Sequence, residues 1–159
     1  MLSRYAEALG MYVDYFDPYV EGGVMNLFDL LRESDFVSLH MPLQDSTKGY
    51  ISEAMLRQMK TTAYLINTAR GELIQEGALL KALQEGIIAG AASDFYDDGL
   101  LEYSKSHDNL ILTPHLGGAT HEGLEKADAL IASKLKDILH EQGQETKEKR
   151  TETGPSAGR

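Results

Sequence analysis

Two side chains stand out for the chemistry they could share. Arg70 closes the run "LINTAR" at 65–70, and His115 closes "LILTPH" at 110–115. A guanidinium presents a planar fork that grips a carboxylate at two points. An imidazole moves a proton near neutral pH. Asp17 follows the apolar stretch Met11–Phe16. A carboxylate placed after a strand accepts hydrogen bonds from ribose hydroxyls and repels a 2′-phosphate, which favours NAD over NADP. Gly117 and Gly118, just after His115, let a backbone approach a flat cofactor closely. Together these groups describe hydride transfer on a 2-hydroxy or 2-keto acid. The cofactor carries the hydride, while the protein holds the substrate and handles the proton. Each residue alone has a plainer role as a cap or a solvated turn. What sets them apart is where they fall in the chain.

The elements that must position them follow from apolar spacing. Met1–Leu9 carries Leu2, Tyr5, Ala6 and Leu9 at helical intervals and stops at Gly10. Met11–Phe16 reads as a strand. Asn26 is placed to cap a helix with Leu27, Leu30 and Leu31 on one face. Phe36–His40 is a short strand ended by Pro42. Ser52–Lys60 is a helix, Ala63–Asn67 a strand, Glu76–Glu85 a helix stopped by Gly86, and Ile87–Ser93 a strand. Phe95–Asp108 reads as a loop, Leu110–Thr113 as a strand and Thr120–His140 as a long helix. Residues 142–159 hold almost no apolar side chain, which predicts a disordered charged tail.

Five short, continuously apolar strands separated by helices predict the α/β class, a Rossmann-type doubly wound parallel sheet with helices on both faces. The polar residues then gather at one edge. Asp17, His40, the Asn67–Arg70 segment, Asp94 and Pro114-His115 each follow a predicted strand. Open α/β sheets bind ligands beyond the carboxyl ends of their strands.

Composition narrows the alternatives. The 159 residues suffice for one domain with a real core. Fifteen Lys and Arg against 25 Asp and Glu leave a net charge of −10, which argues against a nucleic-acid or acidic-membrane partner. The chain has no cysteine, hence no disulfide framework, no Cys-based zinc site and no thiol nucleophile. No metal site is read from the remaining residues. No apolar run approaches a membrane span and Met1–Asp14 lacks a signal-peptide core, so a cytoplasmic setting is expected.

Five stretches, "DPY" at 17–19, "SDFVSLHMPL" at 34–43, "LINTARGELI" at 65–74, "GAASDFY" at 90–96 and "NLILTPHLGGAT" at 109–120, resemble the D-isomer-specific 2-hydroxyacid dehydrogenases. The similarity runs from Met1 to the helix near His140. Phosphoglycerate dehydrogenase is the member it most resembles. An S-adenosylhomocysteine hydrolase shares the nucleotide domain but not this Thr-Ala-Arg-Gly followed by Thr-Pro-His. The resemblance implies that Arg70 holds the substrate carboxylate and that His115 donates the proton to the keto oxygen. It implies that Asp17 binds the adenosine ribose, and that His40 and Pro42 line the ribose and pyrophosphate side. Thr68 and Ala69 would lie beside the nicotinamide, Asp94 would meet its carboxamide, and Gly117 and Gly118 would flank the ring. A homodimer is implied for the full-length form.

Two departures from the family pattern set further expectations. Gly99 stands where the family places a Glu that pairs with the His and favours the imidazolium. Asp97, Asp98 or Glu102 is expected to replace it, against the plainer reading of a solvated acidic loop. The family's first strand and Gly-x-Gly-x-x-Gly turn, which holds the pyrophosphate at a helix N-terminus, are also missing from this sequence. Residues 1–141 therefore read as a partial NAD-binding domain, a fragment expected to be inactive alone. A non-catalytic Rossmann relative that senses NAD or binds a partner is the second reading. Gly99 favours it, while Arg70 and His115 disfavour it. A methyltransferase-like nucleotide binder is a third, in which Arg70 and His115 would have no task.

Overall fold

Four of the apolar runs pair side by side. β1 (Phe36–Leu39), β2 (Tyr64–Asn67), β3 (Gly90–Ser93) and β4 (Leu110–Leu112) form one parallel sheet in that order. The structure is a computed structural model that describes residues 2–24, 26–118, 120, 123, 125 and 133. Two compact units divide the chain, Met1–His115 and Leu116–Arg159, and the sheet belongs to the first.

Neighbouring parallel strands joined in order by right-handed crossovers place every connecting helix on the same face. The register shows which face that is. Val37, Leu65, Ala91 and Leu110 stand in one row across the sheet, and all four are buried. Against them pack Leu31 of α2 (Leu27–Glu33), Leu56 of α3 (Glu53–Leu56), Leu79 and Leu83 of α4 (Ala78–Gln84), and Leu100 of α5 (Asp98–Ser104). Each fully buried leucine contributes about 1.5–3 kcal/mol. Alternate strand residues turn the other way, and there Phe36, Tyr64 and Ile111 are exposed. Among the described residues the helices thus cover one face, where the sequence predicts both.

Local chemistry explains the helix starts. The Asn26 side chain accepts from the Phe28 N–H at 2.9 Å, as its N-cap position predicts. Asp97 does the same for the Leu100 N–H at 2.8 Å and opens α5. That helix corrects the loop expected over Phe95–Asp108. The acidic pair Asp97-Asp98 reads as a solvated turn, yet it is a cap followed by a first-turn acid, and Leu100 and Tyr103 bury the inner side of α5.

A second correction concerns Met11–Phe16, which is not a strand. Extended backbone becomes a strand only when a neighbour satisfies its N–H and C=O groups, and among the described residues β1 pairs only with β2. The segment instead closes on itself. Val24 N–H donates to the Tyr15 carbonyl at 2.9 Å, and the Tyr15 hydroxyl donates to the Glu21 carbonyl at 2.6 Å. Gly23 permits this fold-back, since a Cβ there would lie 2.4 Å from the Tyr15 carbonyl oxygen. Before it, α1 (Leu2–Ala8) ends at Gly10 as expected but buries none of its residues. Most of the helix expected over Thr120–His140 and all of the tail from Gln142 lie outside the described residues.

Candidate active site

The last residues of the four strands, Leu39, Asn67, Ser93 and Leu112, are register partners in one row. Whatever follows them shares one edge of the sheet. His40, the Thr68–Arg70 segment, Asp94 and His115 all lie there.

Asn67 organises the centre of that edge. It is only 1% exposed, a buried amide at the end of an apolar strand. Its Nδ2 donates to the Arg70 carbonyl at 2.9 Å, and its Oδ1 accepts from the Ala69 N–H at 3.1 Å. Both ends of the amide therefore bend the chain at Thr68 and project Arg70. Behind Arg70, a 3-10 turn at Gly71–Leu73 is tied down from the loop after β1. Gly49 N–H donates to the Glu72 carbonyl at 2.8 Å, and Ile51 N–H to the Leu73 carbonyl at 2.9 Å. Arg70 itself is exposed, with one Nη1 bond to the Ala69 carbonyl at 2.6 Å. Among the described residues no carboxylate pairs with it.

The β3 and β4 ends are laced together. Asp94 is 3% exposed, and its carboxylate accepts from the Thr113 hydroxyl. Thr113 N–H donates to the Ser93 carbonyl at 3.0 Å, and His115 N–H donates to the Asp94 carbonyl at 3.1 Å. These bonds hold His115 at φ 56°, the left-handed region, which no other described non-glycine residue occupies. Such a conformation costs about 1–3 kcal/mol and persists only where the surroundings enforce it. The imidazole lies against Phe95, with ring centroids 4.5 Å apart at 54°. On the same ring, the Arg70 guanidinium carbon sits 5.8 Å from the centroid. Phe95 thus touches both residues singled out for chemistry, although sequence reasoning passed over it. An open cleft of about 590 Å³ adjoins this ring, lined among others by Gly71, Glu72, Phe95 and Leu100, and neither Arg70 nor His115 lines it.

The remaining expected residues are placed as follows. His40 lies one residue beyond β1, exposed, with Nε2 2.9 Å from the Ser38 hydroxyl. The Pro42 carbonyl accepts from the Thr47 hydroxyl at 2.7 Å. Thr68 is exposed and Ala69 half-buried. Asp17 is not on the sheet edge; it sits in the fold-back loop, where its carboxylate accepts from the Tyr19 N–H at 2.9 Å. Gly117 and Gly118 are exposed and belong to the second compact unit.

No replacement for the glutamate expected at Gly99 is brought to His115. Asp97 is engaged in capping α5, and Glu102 pairs with Lys105 at 2.6 Å on the solvent side. Among the described residues His115 has no carboxylate partner within ion-pair distance. The cause is α5 itself. Helix formation draws the acids along the helix rather than letting the segment bend toward the histidine. Gly99 is tight as well, since a Cβ there would lie 3.1 Å from Leu80 Cδ2.

The donor set suits the nicotinamide end of a dinucleotide. A buried carboxylate at Asp94, the Arg70 carbonyl fixed by Asn67 and an aromatic wall at Phe95 meet at one edge. Asp17, expected to meet the adenosine ribose, is held instead in the loop before α2.

Residues 1–117 match the D-isomer specific 2-hydroxyacid dehydrogenase, NAD binding domain. Glycerate dehydrogenase of Methylorubrum extorquens is 42% identical over 151 residues, which cover 87% of this chain and 48% of that protein. Glyoxylate reductase of Korarchaeum cryptofilum is 41% identical over 149 residues, covering 84% of this chain and 44% of that protein. The crystal structure of D-lactate dehydrogenase from Aquifex aeolicus, complexed with NAD and lactic acid, superposes with a TM-score of 0.75 at 30% identity, covering 92% of this chain and 51% of that one. The chain spans about half the length of the relatives it matches. By sequence and by fold it belongs to the D-isomer-specific 2-hydroxyacid dehydrogenases, as their NAD-binding domain.

Proposed function

We propose that this chain is the cofactor half of a dehydrogenase that interconverts a short 2-keto acid and its 2-hydroxy acid with NAD(H). The observation that carries this is the meeting of Arg70 and His115, from the ends of β2 and β4, on one Phe95 ring at the carboxyl edge of the sheet. Arg70 takes the substrate carboxylate through its planar fork. His115 gives a proton to the keto oxygen as the carbonyl carbon is reduced, and takes it back in the reverse direction. Asp94 accepts from a carboxamide, and Asn67 keeps Thr68 and Ala69 in place beside it. When bound, NADH supplies the hydride. Relatives named glyoxylate reductase and glycerate dehydrogenase support a substrate of two or three carbons.

The test joins the N-terminal part of the Korarchaeum cryptofilum glyoxylate reductase ahead of this chain, and measures reduction of glyoxylate, pyruvate and longer 2-keto acids with NADH and NADPH. Turnover of the short acids with NADH is expected. Preference for NADPH would contradict the role of Asp17.

A second reading has one observation in its favour: among the described residues His115 has no carboxylate partner of the kind that the family pattern provides. It makes the chain a non-catalytic module that binds NAD. Saturable NADH binding with no turnover of any 2-keto acid in the chimera would select it.

A further inference from the structure

We propose that Phe95 is a positioning residue for the reaction, a rigid spacer that fixes the Arg70 guanidinium and the His115 imidazole in one relation to a bound 2-keto acid. The proposal rests on the dehydrogenase reading for its substrate, but its geometry stands without it. Phe95 is an apolar side chain among polar ones, half-buried at the edge where ligands of such sheets bind. It has no polar group to offer a ligand, and its task must lie in what it touches.

Its own placement is enforced from three directions. The Ser93 hydroxyl donates to the Phe95 carbonyl at 2.5 Å and accepts from the Phe95 N–H at 3.2 Å, so one buried hydroxyl closes both backbone groups of residue 95. The preceding peptide is anchored to β2, with Asp94 N–H donating to the Asn67 carbonyl at 2.9 Å. Opposite, Gly71 leaves the ring its space; a Cβ there would lie 3.1 Å from Phe95 Cβ. A side chain fixed this firmly transmits its position to its neighbours. The imidazole rests on it at 4.5 Å, and the guanidinium carbon lies 5.8 Å from its centre, within reach of attraction between a cation and the ring face. Asn67 and the strained backbone of His115 fix where the two side chains start; Phe95 fixes where they end.

Two readouts separate this from a merely structural plug. In the full 159-residue chain, NMR follows the His115 ring protons and the Arg70 Nε–H. Phe95→Leu should shift both sets of resonances while the amides of β1 stay in place, and Phe95→Tyr should bring both back to the wild-type positions. In the chimera with the glyoxylate reductase, Phe95→Leu should lower kcat/KM for glyoxylate by about 100-fold, the scale of a misplaced reacting group, with KM for NADH unchanged. Phe95→Tyr should restore it. Unmoved His115 and Arg70 signals in Phe95→Leu would overturn the proposal, as would a rise in KM for NADH equal to the loss on glyoxylate. Shifted signals together with a wild-type chimera that turns over no keto acid would uphold the spacer and overturn the dehydrogenase reading instead.

Discussion

The Asn67 amide donates to the Arg70 carbonyl at 2.9 Å across a three-residue loop, and the same amide accepts from the Ala69 N–H. One buried side chain thereby converts the end of a strand into a platform for a guanidinium. Asn67→Ala removes both bonds and leaves two backbone groups to find other partners. We expect a loss of about 1–3 kcal/mol in urea unfolding. Asn67→Asp keeps the acceptor but sets a buried carboxylate oxygen against the Arg70 carbonyl, and at neutral pH should be destabilised at least as much as alanine. A change below about 0.5 kcal/mol for Asn67→Ala, the range of ordinary surface substitutions, would contradict the bracing role.

His115 stores backbone strain that the hydrogen bonds around it enforce. At φ 56° a glycine is at ease and an alanine is not. His115→Gly should be more stable than His115→Ala by about 1 kcal/mol, and both should be equally incapable of proton transfer. Thermal unfolding of the two variants checks this. Equal stability would mean that the backbone at 115 relaxes once the ring is gone.

Glu53 links α3 to α4 through Lys81 at 2.9 Å and pairs with Arg57, at the end of its own helix, at 2.7 Å. The hydrogen bond from Lys81 first, and that from Arg57 second, hold its carboxyl below the ordinary value of 4.5. A carboxylate with a depressed folded pKa stabilises fully above its unfolded value and loses that contribution as pH falls through the folded one. The stability difference between wild type and Glu53→Gln should therefore be full at neutral pH, begin to fade below about 4.5, the unfolded value, and vanish once the pH passes the lower folded value. The groups are exposed, so high salt should shrink it too. A difference that persists unchanged in acid would show that the glutamate acts by packing.

The carboxyl edge was legible because parallel strands announce themselves as apolar runs, and the residues just beyond them announce the edge. Arg70, Asp94 and His115 needed nothing more. Met11–Phe16 has the same apolar look, but a strand is made by its neighbour as much as by its residues, and that information is not local. α5 was hidden because Asp97 as a helix cap and Asp97 as a solvated turn residue look alike; the spacing of Leu100 and Tyr103 was the available signal. Asn67 reads as a strand-ending polar residue until its two bonds are seen. Phe95 reads as the first residue of a loop until its contacts with a cation and an imidazole are seen. The sequence pattern around Gly99 left room for a neighbouring acid to reach His115, and only the helix showed Asp97 spent on its cap and Glu102 paired with Lys105.

The most direct measurement is the kinetics of glyoxylate reduction by the chimera carrying Arg70→Lys. Lysine keeps the charge and loses the two-point fork. If Arg70 receives the substrate carboxylate, kcat/KM for glyoxylate should drop on the order of 100-fold while KM for NADH stays where it was. If the affinity for NADH falls as far as the turnover of glyoxylate, or neither changes, then Arg70 does not hold the substrate.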